Sequence, residues 1–337
     1  MKLPPRVLLA PGLCVSLLLV GGNGLSYRKI QVRAQVIAPK SANQAIVQLK
    51  GLELQPPTSQ GMADVQLNSE PSSRRLTIEL LMKDKPETFL VDTGASTTLL
   101  SRSAADRFNL EGQFVSGDRL SSAVAGDDCP TMDAHLHRLP PFTIGALQVR
   151  DLQGLTFVNT QIPHGLSGVL GMNLLSSFDL KIDPPTRRLS LLPPTPLPAR
   201  KRSQALPLQN KLGVMVAKLM LNQRGPFTFL LDTGAQSTFI SPQVAQATQA
   251  NQMPRQAVQV LGFCGLEPAY RVSMPTLQLG VHRVQNIDTI VLDSSVITAL
   301  EVDGILGQNV FQQFSQHWRF ASPARPQGSL LLTPSLP

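Results

Sequence analysis

The sequence Phe89-Leu-Val-Asp-Thr-Gly-Ala-Ser96 has a near copy at Phe229-Leu-Leu-Asp-Thr-Gly-Ala-Gln236, 140 residues further along a chain of 337 residues. In each copy an apolar run leads into an acidic residue on a glycine turn, Asp92 in the first and Asp232 in the second. A carboxylate at the end of a buried strand is costly to desolvate unless it is paired or used. Two such carboxylates in matched contexts indicate that the chain brings them together across a pseudo-twofold axis.

Two further sequence elements repeat in the same order and at nearly the same offset. Residues 167–178 read SGVLGMNLLSSF and correspond to DGILGQNVFQQF at residues 303–314, an offset of 136. Residues 139–145 read LPPFTIG and correspond to MPTLQLG at residues 274–280, an offset of 135. The repeated unit is far longer than that of a solenoid protein, so the pattern predicts two lobes rather than an array.

On these residues the chain resembles the aspartic proteases, and its short lobes are most similar to bacterial retropepsin-like enzymes. In that family each lobe carries an Asp-Thr-Gly loop, then a flap hairpin, and then a hydrophobic-hydrophobic-Gly turn, which here corresponds to residues 169–171 and 305–307. The resemblance covers roughly residues 74–333. Unlike pepsin, the chain has Ala95 and Ala235 after the two glycines, and unlike retroviral proteases it carries both lobes in one chain.

Together with this resemblance, the composition predicts a mainly β fold of two pseudo-twofold-related retropepsin- or pepsin-like lobes with a few short helices. Aromatic residues make up only 5% of the chain, whereas leucine and β-branched residues between Gly and Pro turns favour short strands. Residues 76–81 and 214–221 are the predicted opening strands of the lobes. Ser101 and Ser241 are predicted helix N-caps, the second followed by a proline at the first helical position. The predicted helices are 103–108 and 243–250.

Segments rich in proline divide the chain into five predicted parts. The stretch 193–206 combines several prolines with a basic cluster, so it is predicted to be an exposed linker. Residues 26–72 are a spacer, a small added strand region or a pro-segment, and the sequence does not decide among these. The five parts are the N-terminal segment 1–25, the segment 26–72, the N-terminal lobe 73–192, the linker 193–206 and the C-terminal lobe 207–337.

The N-terminus has the pattern of an export signal. Lys2 and Arg6 precede the apolar run 7–20, and small residues follow it. The run is short for a membrane span, and both a cleaved signal peptide and a retained anchor stay open. The sequence therefore predicts export to a periplasmic or extracellular location. The segment 1–25 is either cleaved from the exported protein or retained as a membrane anchor.

Cys129 and Cys264 lie 135 residues apart, the offset of the neighbouring repeated element. They therefore occupy equivalent positions in the two lobes. By resemblance both fall in the flaps, which in retropepsin-like enzymes meet over the cleft. We therefore consider a disulfide bond that ties the flaps together in an oxidising compartment, with two free or buried thiols as the alternative.

The resemblance implies an aspartic endopeptidase with Asp92 and Asp232 as its catalytic residues. Two adjacent carboxyl groups share one proton. The ionised group acts as general base on a water molecule, and the neutral one polarises the scissile carbonyl. No cofactor, metal ion or covalent intermediate is expected. The alternative is a catalytically inactive aspartic-protease-like protein that binds peptides without cutting them.

The residues beside the two aspartates are expected to support them. By resemblance, Thr93 and Thr233 form hydrogen bonds across to the opposite loop. Gly94 and Gly234 leave room for a tight turn and let backbone amides reach the carboxylates. The alanines that follow lack the hydroxyl with which pepsin-like enzymes stabilise the carboxylate anion. We therefore expect a less acidic pair of aspartates and a mildly acidic pH optimum.

The remaining sequence features argue against a nucleic acid or a metal ion as the partner. The chain has 30 basic and 22 acidic residues and a net charge of +8. Its basic clusters lack the aromatic interleaving of single-strand binding surfaces, so no nucleic-acid partner is expected. His135 and His137 are predicted to lie on a solvated strand face, with no third metal ligand at a suitable spacing. The resemblance implies an extended peptide or protein substrate as the partner, and a membrane is a second partner if the N-terminal segment is retained. A monomer is sufficient for catalysis.

Overall fold

The structure is a computed structural model, and it describes residues 40–41, 45–68, 74–124, 132–158, 162, 165–322 and 325–335. All of these belong to one compact unit, 37–337. The predicted export segment 1–25 lies outside the described residues. Within the described part of the chain, no helix has both the length and the apolar character that crossing a membrane requires.

Short strands dominate the N-terminal half of the chain. Buried and exposed residues alternate along them, for example in 77–82 and 147–150, because successive side chains of a strand point to opposite faces. The strands are β1 (Lys40–Ser41), β2 (Ala45–Leu49), β3 (Thr58–Gln60), β4 (Ala63–Gln66), β5 (Thr77–Met82), β6 (Lys85–Val91), β7 (Leu99–Leu100), β8 (Gly112–Val115), β9 (Leu120–Val124), β10 (Ala134–Arg138), β11 (Phe142–Ile144), β12 (Leu147–Arg150), β13 (Gln153–Phe157), β14 (Gly168–Leu170), β15 (Asp179–Asp183) and β16 (Arg188–Leu192). The helices are α1 (Arg102–Arg107), α2 (Met172–Leu175) and a 3-10 helix (Gly117–Arg119).

The C-terminal half repeats this organisation with longer strands. Its strands are β17 (Leu206–Lys211), β18 (Val214–Leu221), β19 (Arg224–Leu231), β20 (Thr238–Ile240), β21 (Arg255–Gly262), β22 (Gly265–Leu279), β23 (His282–Val291), β24 (Gly304–Leu306), β25 (Phe314–Arg319) and β26 (Gly328–Pro334). Its helices are α3 (Pro242–Ala247), α4 (Ser295–Ala299), α5 (Gln308–Phe311) and two 3-10 helices (Ala199–Gln204 and Ala250–Gln252). The mainly β fold class is therefore confirmed.

The predicted opening strands and the helix caps are confirmed. The two strands are β5 and β18. The Ser101 hydroxyl accepts a hydrogen bond from the backbone N–H of Ala104 at 3.1 Å, and the Ser241 hydroxyl accepts one from that of Val244 at 3.2 Å. These bonds satisfy backbone donors that a helix start leaves open. Helices α1 and α3 accordingly begin at the residue after each serine, one residue earlier than predicted.

The same strand pairing builds the centre of each lobe. In the N-terminal lobe β14 pairs in parallel with β6 and antiparallel with β7. In the C-terminal lobe β24 pairs in the same way with β19 and β20. The loops after β6 and β19 therefore occupy equivalent places, and Asp92 and Asp232 are the first residues of these loops. This is the pair of pseudo-twofold-related lobes that the repeats predicted.

The two lobes share one sheet, which the sequence analysis did not foresee. Strand β15 of the N-terminal half pairs antiparallel with β25 of the C-terminal half. Lys181 pairs with His317 in this register, and the two residues are equivalent under the repeat offset of 136. The pseudo-twofold axis therefore passes through this residue pair. Strand β4 joins the sheet through β16, and β3 joins the N-terminal lobe through β12, so residues 58–66 of the undecided segment 26–72 add strands to the folded body.

A buried ionic cluster holds the exposed linker between the lobes. Asp179 and Arg325 are only 1% and 8% exposed, and Arg325 Nη2 donates to Asp179 Oδ1 at 2.7 Å. The backbone N–H of Thr195, in the linker, donates to Asp179 Oδ2 at 3.1 Å. Burial on its own would raise the pKa of Asp179, but the facing groups of His317, Arg325 and Thr195 outweigh it and hold this pKa well below its usual value.

Candidate active site

The structure brings the two predicted aspartates together. The carboxyl group of each aspartate lies against the glycine of the opposite loop, so the two carboxyl groups face each other, and both residues are 0% exposed. Oδ1 of Asp92 accepts a hydrogen bond from the backbone N–H of Gly94, and Oδ1 of Asp232 accepts one from that of Gly234, each at 2.7 Å. The backbone of Asp92 is fixed as well, because its N–H donates to the carbonyl of Leu170 at 3.1 Å. Chemically, such a buried pair of carboxyl groups holds a proton in common.

Burial is the largest of the causes that raise the pKa of Asp92 well above its usual value, because it disfavours the charged carboxylate. The negative charge of Asp232 acts in the same direction. The backbone N–H groups of Gly94 and Ala95 act against them. Two carboxyl groups whose environment favours one proton between them can serve as acid and base at the same site.

Four hydrogen bonds between the lobes hold the two aspartate loops in place. Thr93 Oγ1 donates to the carbonyl of Leu231 at 2.8 Å and accepts from the N–H of Thr233 at 3.1 Å. Thr233 Oγ1 donates to the carbonyl of Val91 at 2.8 Å and accepts from the N–H of Thr93 at 3.0 Å. Both threonines are completely buried. These are the cross-loop bonds that the resemblance implied, and they tie the position of each aspartate to the opposite lobe.

Gly94 and Gly234 are required for another reason than the expected tight turn. Neither glycine has a positive φ, so the backbone itself would accept any L-residue. A Cβ atom on Gly94 would overlap the carboxyl group of Asp232, and one on Gly234 would overlap that of Asp92. Each glycine therefore makes room for the opposite carboxyl group. The expectation that their amides reach the carboxylates is confirmed by the two 2.7 Å bonds.

The sequence analysis did not identify a pair of supporting asparagines. Asn173 Oδ1 accepts hydrogen bonds from both the N–H and the hydroxyl of Thr98 at 2.8 Å. Asn309 Oδ1 accepts one from the hydroxyl of Thr238 at 2.9 Å. Thr98 is the last residue of its aspartate loop and Thr238 is the first residue of β20. Each asparagine therefore fixes the end of its loop to the helix that follows β14 or β24. A signal was present, because this asparagine is the one polar residue that is identical in the two repeated elements at 167–178 and 303–314.

The C-terminal hairpin formed by β21 and β22 reaches the N-terminal lobe. Phe263 and Cys264, in its turn, are 1% and 2% exposed and belong to one hydrophobic cluster with Leu90 and Ala95. Cys264 is disulfide-bonded. Cys129, the partner considered for it, lies outside the described residues.

The two histidines of β10 differ in burial, and His137 is the buried one. His137 is 6% exposed, with Nε2 2.9 Å from Thr156 Oγ1 and Nδ1 3.2 Å from the carbonyl of Glu111. The predicted solvated face is therefore wrong for His137, because these partners let the ring be buried. Among the described residues, no three His, Cys, Asp or Glu side chains are grouped closely enough to hold a metal ion.

Two protein-family models match the chain in tandem. The model described as "Aspartyl protease" matches residues 78–174, and that described as "gag-polyprotein putative aspartyl protease" matches residues 217–313. The first match contains Asp92 and the second contains Asp232. No curated protein sequence matches the chain.

Two solved structures are similar to the chain at low sequence identity. A retropepsin-like aspartic protease from Rickettsia conorii is 18% identical over 40% of this chain and 92% of its own, with a TM-score of 0.29. Basic 7S globulin from soybean is 14% identical over 81% of this chain and 95% of its own, with a TM-score of 0.45. The assignment rests instead on the tandem family matches, each of which contributes one aspartate to a common site. The chain belongs to the retropepsin-like aspartic protease family.

Proposed function

We propose that the protein is an aspartic endopeptidase that hydrolyses extended peptide or protein substrates with a water molecule activated between Asp92 and Asp232. The observation that carries the proposal is that two completely buried carboxyl groups from equivalent loops lie together, each against the glycine of the opposite loop. Family membership supports the same reaction, because each family match includes one of these aspartates.

The shared proton lets the pair act as base and acid in one step. The ionised carboxylate takes a proton from water while the water oxygen bonds to the scissile carbonyl carbon, and the neutral carboxyl group protonates the carbonyl oxygen. The resulting tetrahedral diol collapses when the first carboxyl group protonates the leaving nitrogen and the second recovers a proton from the diol. The C–N bond breaks without a covalent enzyme intermediate. Throughout, Thr93 and Thr233 keep the carboxyl groups at a fixed separation.

The pH dependence follows from the same pair. Activity requires one proton on the pair, so it falls at low pH when the base becomes protonated and at high pH when the acid is lost. The raised pKa of Asp92 extends the singly protonated state towards neutral pH. We expect a maximum at mildly acidic pH, and a maximum below about pH 3 would contradict this account.

The test is the cleavage of a diverse peptide library by the full chain, compared with Asp92→Asn and Asp232→Asn. Each substitution should lower the rate by about a thousandfold or more, because a single carboxyl group cannot supply both acid and base. Asp106→Asn, an exposed change on α1, is the matched control and should leave the rate unchanged. The same assay is made with Val47→Glu, for the reason given in the next subsection. Peptide binding without cleavage by all folded preparations would support the inactive peptide-binding alternative instead.

We also propose that the protein is exported. The charged and apolar pattern of residues 1–25 supports export, and so does the disulfide bond of Cys264, since such bonds persist in oxidising compartments. Cell fractionation, with the mass of the mature chain measured with and without reductant, tests both points. A cytosolic protein with free thiols would contradict the proposal. The mass of the mature chain shows whether the N-terminal segment has been cleaved or is retained as an anchor.

A further inference from the structure

A segment that precedes the N-terminal lobe pairs with both flap hairpins. The flap of the N-terminal lobe comprises β8, β9 and β10, and that of the C-terminal lobe comprises β21 and β22. Strand β2 pairs antiparallel with β9 over five residue pairs, from Ala45 with Val124 to Leu49 with Leu120. Strand β1 pairs in parallel with β21. Strands β9 and β21 correspond under the repeat offset. Strands β1 and β2 therefore run parallel to one of two equivalent strands and antiparallel to the other. This is the geometry expected where a chain crosses a twofold axis.

The other edge of β2 is held by the loop that carries Asp92. Ser96, four residues after this aspartate, accepts a hydrogen bond from the N–H of Val47 at 2.8 Å and donates its hydroxyl to the carbonyl of Val47 at 3.2 Å. The segment is thus bound through its backbone on both edges, by a flap strand and by the active-site loop. Strand addition of this kind is how extended peptides are commonly recognised.

Apolar side chains of the segment fill the N-terminal lobe next to the active site. Val47 is 4% exposed and shares a hydrophobic cluster with Ala95, Leu120 and Phe263. Further along, the partly buried residues Leu49, Leu52 and Leu54 pack against the same cluster. Since a β-strand alternates its faces, Val47 and Leu49 lie on one side of β2. The cluster therefore binds the segment through alternate side chains, as a substrate subsite would.

The C-terminal lobe also contacts the segment. Gln48 Nε2 donates to the carbonyl of Leu212, in the turn between β17 and β18, at 3.0 Å. The segment therefore has partners on both lobes. Asp92 and Asp232 have no solvent-exposed surface, whereas a substrate has to reach both carboxyl groups. The cleft is therefore closed at the two aspartates.

We propose that residues 45–54 are a built-in occupant of the substrate cleft, which keeps the protease latent until the segment is displaced or removed. This proposal rests on the proposed endopeptidase function. The position of Val47 is that of a substrate side chain, so substrates have an apolar residue there. Because the segment is covalently attached, it competes with substrate at a high effective concentration.

The test measures peptide binding in proteins that carry Asp92→Asn and so do not depend on catalysis. The probe is a fluorescent synthetic peptide with the sequence of residues 45–54, AIVQLKGLEL. With the added change Val47→Glu, which places a charge in the buried position, the protein should bind the probe about tenfold to a hundredfold more tightly, since burial of the valine is worth a factor of this order. Gln55→Glu adds the same charge at an exposed neighbouring position and should leave the affinity unchanged.

Two further variants keep the result interpretable. A probe peptide that carries glutamate in place of its valine should bind weakly to every protein, which ties binding to the Val47 position. If Val47→Glu does not fold, Leu49→Glu places a charge in the segment alone, against the same cluster, and should change the affinity in the same direction. Equal affinities in all folded proteins, or no binding of the probe to any of them, would overturn the proposal.

Cleavage rates with Asp92 intact separate this proposal from the proposed function. Val47→Glu should cleave the peptide library faster than the parent chain, and Gln55→Glu should match the parent. If probe binding changes as expected but no protein cleaves, the endopeptidase function fails and the occupied cleft stands. If the proteins cleave at equal rates and bind the probe equally, latency fails and the endopeptidase function stands.

Discussion

The two lobes match closely at their aspartate loops and differ in the contacts of the residue that follows each Asp-Thr-Gly-Ala motif. The threonine bonds to the opposite lobe measure 2.8 Å in both directions, and the N–H bonds to both carboxyl groups measure 2.7 Å. Beside the loops the likeness ends: the Ser96 side chain binds Val47, whereas Gln236, its equivalent, accepts a bond from Arg74 at 3.4 Å through its backbone carbonyl. The two loops are alike because each has to position one carboxyl group at the same shared site. Residues beside the loops can differ, because the two lobes are separate parts of one chain and not identical subunits.

The largest loss of activity is expected when one carbon atom is added to either glycine of the aspartate loops. Gly94→Ala places Cβ against the carboxyl group of Asp232, and Gly234→Ala places it against that of Asp92. Each variant should lose activity by about a hundredfold or more, since displacement of a catalytic group by an ångström has this effect. Because the two contacts are equivalent, the two losses should be similar. Peptide cleavage by the purified variants measures them.

Gly117→Ala is the control for these substitutions. Its added Cβ atom would meet its neighbours only at ordinary contact distances of 3.5 Å and beyond, in a 3-10 helix of the flap region. It should therefore keep full activity. A loss in Gly94→Ala that is far from that in Gly234→Ala would show that the carboxyl groups do not contribute symmetrically to the reaction.

A second comparison concerns equivalent residues at the base of the lobes, Asp179 and Ser315. Asp179→Asn should lower the free energy of unfolding by about 3–5 kcal/mol, because it leaves the buried charge of Arg325 without its partner. Ser315→Ala removes one partly buried hydrogen bond to Asp183 and should cost about 1 kcal/mol. Urea unfolding of the two variants at neutral pH measures both values. Similar costs would contradict the central role of the Asp179 cluster.

The cost of Asp179→Asn should depend on pH. The pKa of Asp179 is depressed in the folded protein, so its contribution is fully present above the unfolded pKa of about 3.9 and is lost as the pH falls towards the folded value. The difference in unfolding free energy between parent and variant should therefore shrink below about pH 4. A difference that stays constant down to about pH 2 would show that the carboxylate charge is not what stabilises the cluster.

The features that could be predicted from the sequence are those that a short repeated motif specifies. Asp92, Asp232 and the caps at Ser101 and Ser241 each depend on a few adjacent residues. The pairing of β15 with β25 depends on two strands about 136 residues apart, and nothing in either strand specifies its partner. Strand β2 was missed for the same reason, since the alternation of its side chains does not show which edge it joins. The contact of each glycine with the opposite carboxyl group exists only once the lobes are assembled.

An effect smaller than that of Asp179→Asn is expected at the threonines, and it tests the comparison of the loops. Thr93→Val keeps the shape of the side chain but removes the hydroxyl, which leaves the Leu231 carbonyl and the Thr233 N–H without their partner across the lobes. Leaving buried polar groups unsatisfied costs about 1–3 kcal/mol. Thr233→Val should cost the same, because its bonds match in length, and Thr93→Ser should restore most of the stability. Thermal unfolding measures all three, and unequal costs for the two valine variants would mean that one lobe holds the pair of aspartates more firmly than the other.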